Sequence, residues 1–316
     1  MDTESQTALL TAVREAAIDE AKAVAFFEAR RWGDSPACPR CGSVAVYQMK
    51  DATTGTRNKD YRWRCKDCKR MYSVRTGTVF EETRLPMRVW AHAYWRACAS
   101  KKGVSALQIK RETGITYQSA LFLMHRVRWA MTDAPETRPK LTGTVEADET
   151  YVGGKPRNRL AGKRGRGTTK APVFAVVQRK GAVRAWPIAN ITGKTLGAAL
   201  RETVAPEARL ITDEYPAYKK MGATFGGGHH QVKHRAFEYV RGDIHTNTIE
   251  GFFSLLKRKI YGTHHAVSRE HLHRYVSEAA YLYSTRDMDD MARVAHAIKS
   301  AEGKRLLYRP SGEAAA

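Results

Sequence analysis

The chain has 316 residues, of which 42% are hydrophobic, and it carries 54 lysines and arginines against 32 aspartates and glutamates, a formal charge of +22. A chain of this length and apolar content can bury a sizeable core in more than one domain. It holds no run of about 18 apolar residues that could span a bilayer and no lipidation signal. Because the positive charge far exceeds what solubility requires, we expect a polyanionic partner, and nucleic acid above all.

Residues 1–34 are predicted to form an N-terminal helical segment. Apolar residues recur at helical spacing between residues 5 and 31, with acidic residues between them. This pattern indicates one or two helices that lead into the next domain.

Two cysteine pairs dominate the predicted domain at residues 35–80. Their members are Cys38 with Cys41, and Cys65 with Cys68. Each pair can direct two thiolates at one ion, and the turn formers between strand-like runs at 44–49 and 61–64 are typical of a zinc ribbon. Two disulfides are the alternative, but they need an oxidising compartment, and no signal peptide precedes the cysteines. We therefore expect structural zinc and a cytoplasmic, nucleoid-associated protein.

Residues 81–135 are predicted to form a helical, DNA-binding domain. Within it, residues 104–121 resemble a helix-turn-helix. Ser105 and Thr116 are suited to cap the two helices, and Gly114 allows the tight turn between them. An ordinary helical hairpin has the same pattern.

The basic residues of this segment favour DNA binding over the plain hairpin. The second helix would offer Tyr117, Gln118 and Ser119 near its start, where a recognition helix meets base edges. Positive charge on the two helices comes from Lys110, Arg111, Arg126 and Arg128. We therefore expect Lys110, Arg111, Tyr117, Gln118 and Arg126 to contact DNA.

A third domain is predicted at residues 141–290, after a polar, proline-containing linker at 133–140. Strand-like runs lie at 141–152, 173–178, 183–188, 209–212 and 231–234, and helical runs at 193–204, 246–259 and 268–286. This order favours an α/β domain of the ribonuclease H type. The fold class is thus multidomain α+β, and residues 291–316 are assigned to a C-terminal tail.

Acidic residues of this third domain can meet at one end of the sheet. Asp148 lies within the first strand, Asp213 follows the fourth, and Glu250 lies in the helix that crosses behind them. Three such carboxylates can hold two divalent cations, which is the two-metal route to phosphodiester cleavage and transfer. Magnesium suits hard oxygen ligands best, with manganese as a substitute. Lys257, two helical turns after Glu250, is expected to contact a DNA phosphate.

Two further glutamates flank Asp148 in the predicted strand. We expect Glu146 and Glu149 to point to the face opposite Asp148. That orientation would make them structural residues or neighbours of the phosphate, and not metal ligands.

Taken in order, the motifs resemble those of bacterial insertion-sequence transposases of the DDE superfamily that carry an N-terminal zinc ribbon. The resemblance covers the chain almost end to end and is carried by Arg31-Trp32, residues 38–42, 72–78, 146–155, 212–218 and 245–258. It implies a ribonuclease H-like fold, metal-dependent strand cleavage and strand transfer, and recognition of terminal inverted repeats.

The resemblance also implies roles for individual acidic residues. Asp148 and Asp213 match the first two catalytic aspartates of the family. Members use an Asn or a Glu as the third ligand, and this chain has both, Asn247 and Glu250, one turn apart. Charge favours Glu250, since a carboxylate neutralises a cation better than an amide oxygen does.

The sequence therefore predicts a DNA transposase that acts on terminal inverted repeats and target DNA, as a homo-oligomer holding two ends together. The first alternative is a non-catalytic DNA-binding protein derived from a transposase. The second is a metal-dependent nuclease without strand transfer, because the same metal chemistry serves water and a 3′-hydroxyl.

Overall fold

The chain forms a mixed α+β structure that divides into two compact units. The computed structural model describes residues 3–132, 138–153, 170–222, 224–233 and 240–307. One unit combines Met1–Met131 with Met288–Ala316, and the other is Thr132–Asp287. The second unit is thus inserted into the chain of the first. Residues 133–137 of the expected linker lie outside the described residues.

Two helices open the first unit, α1 (Thr3–Ala16) and α2 (Glu20–Trp32). Phe27 on the inner face of α2 is fully buried. Its ring makes edge-to-face contacts with Phe80 and Tyr94, at centroid distances of 5.1 and 5.9 Å. The helices expected between residues 5 and 31 are therefore present, and aromatic side chains hold them to the rest of this unit.

A small antiparallel sheet follows, with strand order β1-β2-β3. Its strands are β1 (Val46–Gln48), β2 (Trp63–Cys65) and β3 (Met71–Tyr72). The first two lie within or overlap the predicted runs, and β3 was not predicted. Trp63 and Tyr72 are buried on one face together with two cysteines, so this sheet and its cysteines share one small core.

Three helices complete this stretch: α3 (Met87–Ala99), α4 (Ala106–Thr113) and α5 (Tyr117–Ala130). The hydroxyl groups of Ser105 and Thr116 accept hydrogen bonds from backbone N–H groups in the first turns of α4 and α5. Gly114 ends α4 with φ +74°, in the left-handed region that glycine adopts without steric cost. Both caps and the turn are those expected from the sequence.

The second unit is built on a five-stranded sheet with order β6-β5-β4-β7-β8. The strands are β4 (Thr144–Val152), β5 (Ala171–Gln178), β6 (Val183–Pro187), β7 (Arg209–Asp213) and β8 (His229–Val232), with helices α6 (Gly193–Thr203) and α7 (Lys219–Gly222) between β6 and β8. The first three strands are antiparallel, and β7 and β8 run parallel to β4. The central strand β4 is thereby held on both sides.

Apolar clusters cover both faces of this sheet. A hairpin of β9 (Val240–Arg241) and β10 (Ile244–His245) leads into α8 (Asn247–Lys259), which is followed by α9 (Leu272–Ser284). One cluster joins β5 residues such as Val173 to Phe252 of α8 and Val276 of α9. The other joins Ala147 and Phe174 to Leu196 of α6. Helix α8 therefore lies on one defined face of the sheet.

The C-terminal segment differs from the tail assigned to residues 291–316. Residues 290–299 form a helix, α10 (Asp290–Lys299), which belongs to the first unit. The carboxylate of Asp289 caps it by accepting from two backbone N–H groups at 2.9 and 2.8 Å. Met291, Val294 and Ile298 are buried, so burial of this apolar stripe gives the segment a fixed position.

Among the helices in the described part of the chain, none combines the length and apolar content that crossing a bilayer requires.

Candidate functional site

The four cysteines converge at one end of the small sheet of the first unit. The Sγ atoms of Cys38 and Cys68 are 3.7 Å apart, as are those of Cys41 and Cys65, and all four lie within 4.8 Å of one another. A tetrahedral zinc ion with Zn–S bonds of about 2.3 Å separates its sulfur ligands by about 3.8 Å. A disulfide would bring two sulfurs to about 2.05 Å. The four thiols therefore fit a structural zinc ion and not the alternative of two disulfides.

Tight turns bring each cysteine pair together. Gly42 adopts φ +74° and donates its backbone N–H to the carbonyl of Cys38 at 2.9 Å. In the second pair, Cys65 with Cys68, the chain turns at the following residue, Lys69, which adopts φ +60°. There the backbone N–H of Cys68 is the main cause that lowers the pKa of Cys65 to about 7, which favours the thiolate that binds zinc.

In the second unit, two of the predicted catalytic carboxylates share one row of the sheet. Strands β4 and β7 are parallel, with Glu146 opposite Ile211. The same offset brings Asp148 level with Asp213, the last residue of β7. Residues that are level on a parallel pair point to the same face, and the charge of Asp213 acts on Asp148. These two carboxylates therefore lie close together on one face, in the middle of β4 and at the last residue of β7.

The third predicted acidic residue lies at the start of α8. Asn247 and Glu250 are both exposed in its first turn. The hydroxyl of Thr246 donates a hydrogen bond to Oε1 of Glu250 at 2.8 Å, and this threonine is almost fully buried. The buried hydroxyl restricts the Glu250 side chain, whereas the described contacts include no bond to the amide group of Asn247.

Negative charge converges on Asp148. Desolvation by the surrounding protein, followed by the charges of Glu149, Asp213 and Glu250, raises the pKa of Asp148 well above its usual range. A carboxyl group that is costly to ionise among other carboxylates becomes favourable to ionise beside a cation. The donor set of oxygen ligands therefore fits a hard divalent cation.

The carboxylates are grouped more loosely than the thiols. Within the described residues, the four cysteines are the only group of three or more Cys, His, Asp and Glu whose ligand atoms all lie within 4.8 Å of one another. In a two-metal site the cations are about 3.5–4 Å apart, so their ligands spread wider than around one ion. Mutual repulsion between the carboxylates acts in the same direction.

Two known families match the two units of the chain. An ISXO2-like transposase domain matches residues 140–284, and a transposase zinc-ribbon domain matches residues 18–71. An uncharacterized protein in transposable element ISH50 of Halobacterium salinarum is 30% identical over 272 residues, which cover 82% of this chain and 89% of that protein.

The chain belongs to the family of ISXO2-like transposases with a zinc ribbon. The DDE transposase and zinc ribbon expected from the sequence are thereby confirmed. A bacterial origin of the chain is not confirmed, and this relative is archaeal.

In this transposase, Glu146 is a buried carboxylate that the sequence prediction assigned to the wrong face of β4. Side chains alternate along a strand, so Glu146 lies on the same face as Asp148, two residues away. It is fully buried and bonded to the first turn of α8. Glu149 does point to the other face, where it accepts a hydrogen bond from the hydroxyl of Tyr218 at 2.7 Å. The period of two could have identified the face of Glu146.

The residues predicted to contact DNA divide into exposed and buried ones. Exposed side chains are Lys110, Arg111, Tyr117 and Gln118, and Lys257 is half-buried. Arg126 has a different role from the one expected. It is buried, and its guanidinium donates to the carbonyls of Leu306 and Glu81. Arg126 therefore holds the first unit together and is not available to DNA.

The zinc ribbon of the transposase presents one further surface that the sequence prediction did not describe. The strand registers put Tyr47, Arg64 and Met71 in one row across the face opposite the cysteine core. Tyr47 and Met71 are 42% and 48% exposed. Exposed basic residues of the same ribbon include Arg62, Lys66, Lys69 and Arg70. The aromatic ring of Tyr47, the thioether of Met71 and the guanidinium of Arg64 lie among these positive charges. Such a surface is suited to bind nucleic acid.

Proposed function

We propose that this protein is a DNA transposase that binds the terminal inverted repeats of its element and performs metal-dependent strand cleavage and strand transfer. The observation that carries the proposal is the proximity of Asp148, in the middle of β4, to Asp213, the last residue of the adjacent parallel strand β7. Helix α8 brings Glu250 close enough for its charge to act on Asp148. Membership of a transposase family supports the same reaction.

The sheet topology supports a ribonuclease H-like domain. If the strands are numbered along the chain, their order across the sheet is third, second, first, fourth, fifth. The first three strands are antiparallel, and the fourth and fifth run parallel to the first. This order puts the first and fourth strands side by side. Acidic residues that are 65 positions apart in the chain can then act as one site.

Asp148, Asp213 and Glu250 are the residues that would hold two Mg²⁺ or Mn²⁺ ions. When bound, such ions activate the attacking oxygen and stabilise the leaving oxygen of a phosphodiester. The chain itself would supply the carboxylate oxygens, orient Glu250 through the hydroxyl of Thr246 and bring the DNA phosphate to the carboxylates. Lys257, on the same helix two turns from Glu250, is suited to bind that phosphate.

DNA binding is assigned to the first unit. Helices α4 and α5 would act as a helix-turn-helix, with exposed Tyr117 and Gln118 at the start of the second helix and Lys110 and Arg111 on the first. The exposed face of the zinc ribbon would add contacts to the same DNA. Contacts from both elements account for the strongly positive charge of the chain.

Transposition requires two ends in one complex, so we propose a dimer or larger assembly on DNA. Size-exclusion chromatography of the protein with end DNA tests this directly. A complex with one protein chain and one end at saturating concentrations would reject it.

The experiment that tests the function compares wild type with Asp213→Asn on a labelled DNA end cloned from the inverted repeats that flank the gene. Wild type with Mg²⁺ should nick the 3′ end and join it to a plasmid. The variant should bind the end with unchanged or higher affinity and give no product, because one metal ligand is lost. Cleavage retained by Asp213→Asn removes that residue from the site. Binding without cleavage by wild type indicates the DNA-binding alternative, and cleavage without joining indicates the nuclease.

A further inference from the structure

Helix α8 begins without the cap that its own sequence could supply. Thr246 stands at the position whose side chain ordinarily accepts from the second and third backbone N–H groups of a helix. Its side chain caps none of them and instead donates to Glu250. The N–H groups of Thr248 and Ile249 have no acceptor within the helix and need one from elsewhere in the fold.

Glu146, more than 100 residues earlier in the chain, supplies that acceptor. Its Oε2 accepts from the backbone N–H groups of Thr248 and Ile249, both at 3.0 Å, and its Oε1 accepts from the hydroxyl of Thr248 at 2.9 Å. A carboxylate at a helix N-terminus is stabilised by the helix dipole as well as by these bonds. One buried side chain on β4 therefore caps α8.

The charge of Glu146 is balanced by Arg179. The guanidinium donates from Nε to Oε1 of Glu146 at 2.7 Å. It also donates to the carbonyls of Asp243 and His245 at 2.7 and 2.9 Å. Arg179 thus ties the β9-β10 hairpin, the segment immediately before α8, to the same carboxylate.

We propose that Glu146 is a positioning residue, which fixes the first turn of α8, and with it Glu250, against the strand that carries Asp148. The inference rests on the proposed function and deepens it. Glu146 lies two residues before Asp148 on the same face of β4, and its bonded partner Thr248 lies two residues before Glu250. A single side chain therefore sets the spacing between two of the carboxylates that would hold the cations.

Glu146 does not act as a metal ligand itself. It is fully buried, and its two oxygens already accept four hydrogen bonds. A carboxylate oxygen offers about two acceptor sites, so cation binding would require breaking bonds that hold the helix.

The test uses the full-length, zinc-loaded protein and three variants. Glu146→Gln keeps the shape of the side chain but replaces one oxygen by an NH₂ group, which cannot accept from α8 or Arg179. Thr248→Val removes only the hydroxyl bond and is the milder variant. Glu278→Gln is the matched control, because this buried carboxylate on α9 pairs with buried Lys259 at 2.9 Å, at the far end of α8.

Two readouts separate positioning from general loss of structure: hydrogen exchange of the backbone amides of Thr248 and Ile249, and the rate of DNA-end cleavage at saturating end DNA. Glu146→Gln should speed exchange roughly tenfold, as expected for loss of a helix cap. It should slow cleavage roughly 10- to 100-fold, as expected for displaced catalytic groups, with end binding within about twofold. Thr248→Val should change both in the same direction by less, and Glu278→Gln should change neither by more than about threefold.

Unchanged amide exchange in both Glu146→Gln and Thr248→Val overturns the proposed cap. Faster exchange with cleavage at the wild-type rate overturns the positioning role. If Glu278→Gln slows cleavage as much as Glu146→Gln does, the effect belongs to general destabilisation and the inference also fails. Absence of cleavage in wild type would instead reject the proposed function, while the exchange measurement still decides the cap.

Discussion

The C-terminal segment should stabilise the first unit through an ion pair that sequence reasoning did not identify. Arg31 on α2 donates from Nε and Nη2 to Glu302 at 2.9 and 2.6 Å, and from Nη1 to the carbonyl of Val74 at 2.8 Å. The Arg31 side chain is 1% exposed and that of Glu302 is 50% exposed. Substituting Glu302→Gln removes the negative charge and leaves the arginine buried with a weaker partner.

The size of the effect follows from the burial of each partner. Breaking a fully buried ion pair costs about 3–5 kcal/mol, and an exposed pair contributes about 0–1 kcal/mol. Because Glu302 is half exposed and Arg31 keeps the carbonyl of Val74, we expect a loss of about 1–2 kcal/mol. For a unit of this size, that loss lowers Tm by about 2–8 °C.

Glu82→Gln is the matched control for this measurement. Glu82 pairs with Arg305 of the same C-terminal segment, but its side chain is 67% exposed and that of Arg305 is 45% exposed. Solvent screens this pair, so its loss should leave Tm unchanged within the error of calorimetry. Equal shifts for the two variants, or no shift for Glu302→Gln, would refute the assignment of the C-terminal segment to the first unit's core.

Three further predictions concern the carboxylate site, the zinc site and the helices α4 and α5. Asp148→Asn should raise the unfolding free energy of the metal-free protein by about 0.5–2 kcal/mol, and its Tm accordingly. The same substitution should abolish stabilisation by Mg²⁺ in calorimetry. The pKa of Asp148 is higher in the folded protein than in the unfolded chain. The wild type therefore regains stability as the pH falls through the folded-state pKa towards the unfolded value of about 4. Over this pH range the stability advantage of Asp148→Asn should shrink. Cys65→Ser or chelation should remove the single zinc expected by atomic absorption, reduce the near-UV circular dichroism to which Trp63 contributes, and weaken end binding about tenfold or more. Lys110→Ala should reduce the slope of log affinity against log salt by about 1, whereas Arg126→Ala should lower Tm and leave the slope unchanged.

Features set by neighbouring residues were predictable from the sequence. The caps at Ser105 and Thr116 and the turn at Gly114 depend on side chains and a glycine within a few residues of the helices they end. The cysteine spacing likewise carried the zinc site. Runs of strand-forming residues predicted the strands of the second sheet, and their order with the helices predicted a mixed α+β structure.

Features set by distant partners were not predictable in the same way. In the sequence, Arg126 cannot be distinguished from other basic residues on a helix, because its partners Leu306 and Glu81 lie 180 and 45 residues away. The capping bonds of Glu146 cross 102 and 103 residues. Burial of a charged side chain depends on such partners, so composition alone assigned Arg126 to DNA.

The helix α10 is an intermediate case. An aspartate followed by apolar residues at helical spacing is a signal for the start of a helix. Asp289 provides this signal, and the assignment of residues 291–316 to a tail overlooked it. The sequence could not predict that α10 belongs to the first unit, because its neighbouring residues do not indicate which of the two hydrophobic cores its apolar face covers.

The most direct test of the central claim is the joining of a labelled transposon end to a plasmid by wild type, Glu250→Gln and Asn247→Ala in Mg²⁺. We predict joined product from wild type, none from Glu250→Gln, and product from Asn247→Ala at a rate within about tenfold of wild type, because only the glutamate supplies a charged ligand. Joined product from Glu250→Gln at the wild-type rate would contradict it.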